Sequence, residues 1–138
     1  MARFAAAVPM RWTDQDAYRH LNHARAVTLL EEARIALVFD AAAAEGLPGF
    51  ASGLLVTGLG VRYRRQIAYR SSPLRVVMGI DQVRAASFRI SYEMHEGADE
   101  GDPVAISAHT DMATFDLAAQ RPRRLLTEER DFLGRWSG

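Results

Sequence analysis

Between Asn22 and Glu45 the chain carries one long helical pattern that is apolar on too many sides to lie on a surface. Val27, Leu30, Arg34, Leu37 and Ala41 fall at helical spacing, and Ala33, Ile35, Ala36, Val38 and Phe39 widen the apolar surface beyond a single stripe. Gly46, Pro48 and Gly49 end the pattern. Residues 1–12, apolar with a proline at position 9, suit a first strand, and the polar residues 13–23 read as a loop. After the helix the period changes to two. Leu55, Thr57, Leu59, Val61, Tyr63 and Ile67 form the apolar face of a long strand. Residues 73–83, 86–95 and 104–116 read as further strands, with an acidic turn from Gly97 to Pro103. A turn follows, then Arg121-Pro122-Arg123-Arg124. One long helix followed by four strands in meander is an α+β arrangement. A curved antiparallel sheet wrapped around the helix explains best why the helix is apolar on most sides.

Composition narrows the function. The 138 residues make a single domain over positions 1–138, with 49% hydrophobic and 25% charged residues, as in a soluble globular protein. Seventeen basic residues balance seventeen acidic ones, which makes nucleic acid or a membrane surface a poor partner. There is no cysteine, so disulfides, thiolate nucleophiles and cysteine metal sites are excluded. No apolar run is long enough to span a bilayer, and the start does not read as a signal peptide. The expected location is cytoplasmic. Every basic residue is arginine, so Schiff-base lysine chemistry is excluded and phosphate contacts must come from arginine, backbone N–H, hydroxyls or histidine.

The densest polar cluster is Arg11-Trp12-Thr13-Asp14-Gln15-Asp16-Ala17-Tyr18-Arg19-His20-Leu21-Asn22-His23, between the first strand and the helix. Its carboxylates, imidazoles and amide lie beside a helix N-terminus, whose unpaired N–H groups suit a developing oxyanion. An acid or base next to such donors fits acyl transfer or proton abstraction beside a carbonyl. The competing reading is that Asp14 or Asn22 caps a turn or the helix and the histidines are solvated.

The same residues resemble the acyl-CoA thioesterases of the 4-hydroxybenzoyl-CoA thioesterase type, which have the hot-dog fold. The likeness runs from Arg11-Trp12-Thr13-Asp14-Gln15-Asp16 through His20-Leu21-Asn22-His23 to Glu31-Glu32-Ala33-Arg34. It continues in Val61-Arg62-Tyr63-Arg64-Arg65 and in Ser87-Phe88-Arg89-Ile90-Ser91-Tyr92-Glu93. The resemblance implies that Asp16 serves as nucleophile or general base. It also implies that the His23 backbone N–H is an oxyanion donor and that His20 and Asn22 line the site. The family's glycine before the histidine is Arg19 here, its second asparagine is His23, its aromatic early in the helix is Val27, and its strand proline is Arg65. The expected substrate is an acyl-CoA, or the thioester of an acyl carrier protein, and the expected assembly is a homodimer or a tetramer of two dimers. Hydrolysis of this kind needs no metal and no redox cofactor.

Alternatives remain at the level of sequence. Arg62, Arg64 and Arg65, with Arg70 and the 121–124 cluster, either contact coenzyme A phosphates or form a solvated strand face. One of Glu31 and Glu32 is expected to be at least half-buried, and paired with Arg34 or an arginine of the partner chain. His95 is expected in solvent and His109 on a sheet face. His20 and His23 lack an obvious third ligand for a metal. A hot-dog hydratase or dehydratase and a non-catalytic acyl-CoA-binding protein are the rival functions.

Overall fold

The computed structural model describes residues 2–137. Strand β1 (Phe4–Val8) leads through a 3-10 turn at Trp12–Asp14 into helix α1 (His23–Ile35). The helix continues as a π-helical stretch, Ala36–Ala41, and a last α turn, Ala42–Ala44. Strands β2 (Leu54–Tyr63), β3 (Leu74–Asp81), β4 (Ser87–His95), β5 (Val104–Asp116) and β6 (Arg121–Pro122) follow, and helix α2 (Thr127–Gly134) ends the fold. The main sheet is antiparallel, in the order β1-β3-β4-β5-β2, with β6 paired to the end of β5. This is the expected α+β architecture, a curled antiparallel sheet around one long helix.

The helix is held by a stripe. Ala26, Leu29, Leu30, Ala33, Leu37 and Ala42 are essentially sealed from water. The sheet answers with alternate residues, Val76, Met78 and Ile80 on β3 and Phe88, Ile90, Tyr92 and Met94 on β4. Burying each large side chain contributes about 1.5–3 kcal/mol. Gly46 ends the helix as expected, at φ 77°. Its N–H bonds Ala43 C=O at 3.0 Å and the next N–H, of Leu47, bonds Ala42 C=O at 3.0 Å. That reverse turn needs the left-handed conformation glycine adopts freely.

Three features differ from the sequence expectation. The strands are not a simple meander. β1 occupies the free side of β3, from Phe4 opposite Met78 to Val8 opposite Leu74. β2 therefore pairs with β5 at the other end of the sheet. Second, the apolar face of β2 switches sides. A bulge between Val56 and Gly58 shifts the register against β5. Leu59, Val61 and Tyr63 share the inner face of Thr110, Ala108 and Ile106, whereas before the bulge Leu54 and Val56 take that face and Leu55 turns outward. Third, a second helix closes the open end of the curl. Phe132 and Leu133 of α2 are fully buried, and the Phe132 ring lies 6.4 Å from that of Phe50, which in turn meets Phe88 at 5.8 Å.

His95 is buried rather than solvated, with its Nδ1 2.7 Å from the Asp102 carbonyl oxygen. His109 lies on the outer sheet face opposite Gly60, as expected. Both Glu31 and Glu32 are exposed, and Glu31 accepts from Arg34 at 3.2 Å. No helix among the described residues is long and apolar enough to cross a membrane.

Glu129 anchors α2. Its carboxylate is buried and receives both Arg123 Nη atoms at 2.8 Å and the Leu126 N–H at 2.8 Å. Removing one partner leaves the guanidinium short of its anion and the helix start short of its acceptor. Glu129→Ala is expected to cost about 3 kcal/mol in urea unfolding. A loss below about 0.5 kcal/mol would show that the pair is dispensable.

Candidate active site

The polar loop folds as a small hairpin stapled to the helix start. Asp14, fully buried, accepts the Arg11 N–H at 2.7 Å and Arg11 Nη2 at 2.9 Å. Its carbonyl oxygen accepts the Asn22 N–H at 2.8 Å, which joins the first residue of the hairpin to the helix cap. Burial by itself would raise the Asp14 carboxyl; the Arg11 guanidinium and N–H outweigh burial and hold it below the ordinary aspartate range. Asp14 is thus a structural carboxylate.

Between these ends, Gln15 pairs with Leu21 and the Asp16 N–H donates to His20 C=O at 2.8 Å. The Arg19 N–H closes the turn onto Asp16 C=O at 3.1 Å. The Asp16 side chain is oriented from within. Its Oδ1 accepts the N–H of Tyr18 at 2.8 Å and of His20 at 3.2 Å. Its Oδ2 takes no hydrogen bond among the described residues. A carboxylate held at one oxygen and free at the other can attack a carbonyl or take a proton from water.

The hairpin is held against the chain after β2, where Leu21 N–H bonds Ile67 C=O at 2.8 Å and His20 pairs with Ala68. The Nδ1 of His20 is buried and unpartnered among the described residues. Asn22 is the helix cap: its Oδ1 accepts the N–H of Ala24 at 2.9 Å and of Arg25 at 3.2 Å. That leaves the His23 N–H as the first-turn donor without a partner among the described residues. Tyr63 braces this point from β2, its hydroxyl donating to His23 C=O at 2.7 Å. The loop–helix junction therefore gathers Asp16, His20, Asn22 and His23.

The strand arginines are not at this junction as a group. Arg62 pairs in register with Ser107, on the outer sheet face. Arg64 Nε bonds Ser107 Oγ at 3.0 Å, and Arg65 Nε bonds Glu96 at 2.8 Å. Sequence reasoning missed Tyr63 as a brace. Its signal was the last inward position of an alternating strand, which marks it as core and not as a partner of the helix start. It also missed the groove of about 180 Å³ between α1 and β2, lined by Val27, Leu30, Arg34, Val56, Leu59 and Thr110. That groove starts one helical turn past His23, on the open edge of the sheet.

Residues 10–132 match the profile of the thioesterase-like superfamily. No protein of curated function matches the sequence. Among solved structures, a predicted thioesterase from Bacillus stearothermophilus superposes with a TM-score of 0.79 at 19% identity, over 99% of this chain and 98% of that one. A 1,4-dihydroxy-2-naphthoyl-CoA thioesterase from Synechocystis gives 0.77 at 16% identity, over 96% of each chain. A thioesterase from Thermus thermophilus, complexed with coenzyme A and Zn, gives 0.75 at 19% identity, over 97% of this chain and 94% of that one. The chain belongs to the thioesterase-like superfamily and has its hot-dog fold. Its class of reaction is thioester hydrolysis.

The lowered Asp14 carboxyl fixes a pH dependence. The fold prefers the charged form, so the contribution is complete above the ordinary aspartate value of about 4 and is lost as pH falls through the lower folded value. Asp14→Asn is expected to lose about 2 kcal/mol of unfolding free energy at pH 7. The gap from wild type should narrow in urea titrations below about pH 4. A gap of equal size at low pH would show that charge is not what Asp14 supplies.

Proposed function

We propose that the chain hydrolyses an acyl-CoA thioester at the Asp16 turn. The observation that carries this reading is the Asp16 carboxylate, pinned at Oδ1 by two backbone N–H groups and open at Oδ2. The thioester carbonyl would sit over the start of α1, with the unpartnered His23 N–H donating to the oxygen as it gains charge. Asp16 would then either attack the carbonyl carbon to give a mixed anhydride that water cleaves, or accept a proton from an attacking water. In both routes the C–S bond breaks and coenzyme A leaves as the thiol, taking up the proton that water gives. His20, through the N–H it gives Asp16, and Asn22, through the helix cap, hold the two catalytic groups in place. Arg62, whose guanidinium makes no ion pair among the described residues, is the strand arginine best able to meet a phosphate. Arg65 is committed to Glu96 and Arg64 to Ser107. An acyl group carried on a carrier protein would present the same thioester.

Asp16→Asn preserves shape but can neither attack nor accept the proton. It should lower kcat by about 100-fold or more, with little change in melting temperature. The assay is thiol release over short, long, branched and aromatic acyl-CoAs, with wild type and variant compared on the best substrate. Turnover near wild type in Asp16→Asn would sink the mechanism.

The same reading includes assembly. The outer edge of β2 has no partner strand among the described residues, and Leu55, Val56 and Leu59 along it are 42%, 47% and 49% exposed. Such an edge invites a second copy, which would roof the groove beside α1. Light scattering should give twice the 15.3 kDa chain mass, or four times. Leu59→Asp should lower that mass and the activity together, whereas a stable active monomer would refute the dimer.

A further inference from the structure

One patch beside the reacting turn takes no part in the chemistry above. Trp12 is 73% exposed and Tyr18 80% exposed, large fractions for aromatic side chains. Trp12 is nonetheless held in place, with its ring edge-on to Tyr69 at 5.3 Å. His20 pairs with Ala68 and the Leu21 N–H bonds Ile67 C=O, so Arg19 and Tyr69 each stand one residue along from the His20–Ala68 bridge. Arg19 itself has φ 66°, the left-handed region where a residue with a side chain is strained and glycine is not. A glycine would close this turn without strain, so the guanidinium is retained against a conformational cost. Arg19 is exposed and makes no ion pair among the described residues. The chain thus brings an exposed aromatic ring and an unpaired cation to the same Ala68–Tyr69 segment, each within four residues of Asp16 in the sequence.

We propose that Trp12 and Arg19 form the docking site for the nucleotide end of coenzyme A, which rests on the thioesterase reading given above. The adenine base would stack on the exposed face of Trp12, and a phosphate would meet the Arg19 guanidinium in a charge-assisted bond. Tyr18 flanks the same rim. The strand arginines are the poorer anchor, since Arg65 is neutralised by Glu96 and Arg62 lies on the outer sheet face. The site reads the carrier, not the acyl group, and so favours coenzyme A over shorter thiols.

The experiment compares one acyl group on coenzyme A and on N-acetylcysteamine, which lacks the nucleotide. In wild type, kcat/KM should favour the coenzyme A ester. In Arg19→Gly and Arg19→Ala that preference should narrow by about tenfold, through KM. The glycine variant removes the strained backbone as well as the charge, so its melting temperature should rise by about 2 °C over that of the alanine variant. Adenosine 3′,5′-bisphosphate should quench tryptophan fluorescence in wild type, and titration calorimetry should give a Kd about tenfold weaker in both Arg19 variants and in Trp12→Ala. An unchanged substrate preference overturns the site while hydrolysis stands. Loss of thioester hydrolysis in wild type, with Arg19-dependent bisphosphate binding intact, keeps the site and fells the thioesterase reading. A lower molecular mass in Trp12→Ala with bisphosphate binding unaltered makes the patch a subunit contact and overturns the proposal.

Discussion

The structure depends on burying one helix that has too much apolar surface for a protein exterior. Ala26, Leu29, Leu30, Ala33 and Leu37 need cover along their whole length, and a flat sheet could give it only along a line. Curling the sheet brings the inner residues of β3, β4 and β5 onto the same stripe. It also forces β1 and β2 to opposite edges, since both chain ends of the helix must leave the curl. Once α1 is seated, its N-terminus is fixed in space, and the loop before it has one place to go.

That fixed N-terminus is what turns a polar loop into a candidate site. Asn22 satisfies two of the orphan N–H groups of the first turn and leaves the one at His23 unspent. Asp14 spends its carboxylate on Arg11 and its carbonyl on Asn22, and so ties the hairpin to the helix. Asp16, two residues on, is left with one oxygen committed and one free. The two aspartates have the same side chain and different fates because one is sealed among its donors and the other stands at the lip of a turn.

Much of this was legible in the residues. The helix, its glycine stop and four of the strands follow from spacing alone, because burial on one face imposes a period of 3.6 or 2 on any chain. The cap at Asn22 and the structural role of Asp14 were open alternatives in the sequence, and local hydrogen bonding resolves them. The bulge at Val56–Gly58 was invisible, since one extra residue changes register without breaking the apolar count. The position of β2 was hidden for a similar reason: a strand pattern names a face but not a neighbour. Helix α2 is short, and its charged residues masked Phe132 and Leu133, whose burial depends on Phe50 and Phe88. His95 looked like a strand-end residue, and only the turn at Asp102 supplies the carbonyl that lets it be buried.

The sequence by itself determined the class of fold, the order of the long helix and the strands through β5, and the segment that carries the candidate site, because those follow from periodicity and from residue types clustered within one short loop. Only the tertiary structure decided which oxygen of Asp16 is free, which N–H of the first turn is unspent, and which arginines are already paired. Those outcomes depend on partners that are distant in the chain, such as Tyr63 beneath His23, Glu96 against Arg65 and Ile67 behind Leu21. A hydrogen bond satisfied from afar leaves no mark on local spacing, and so the chemistry left available at the site is a property of the folded chain.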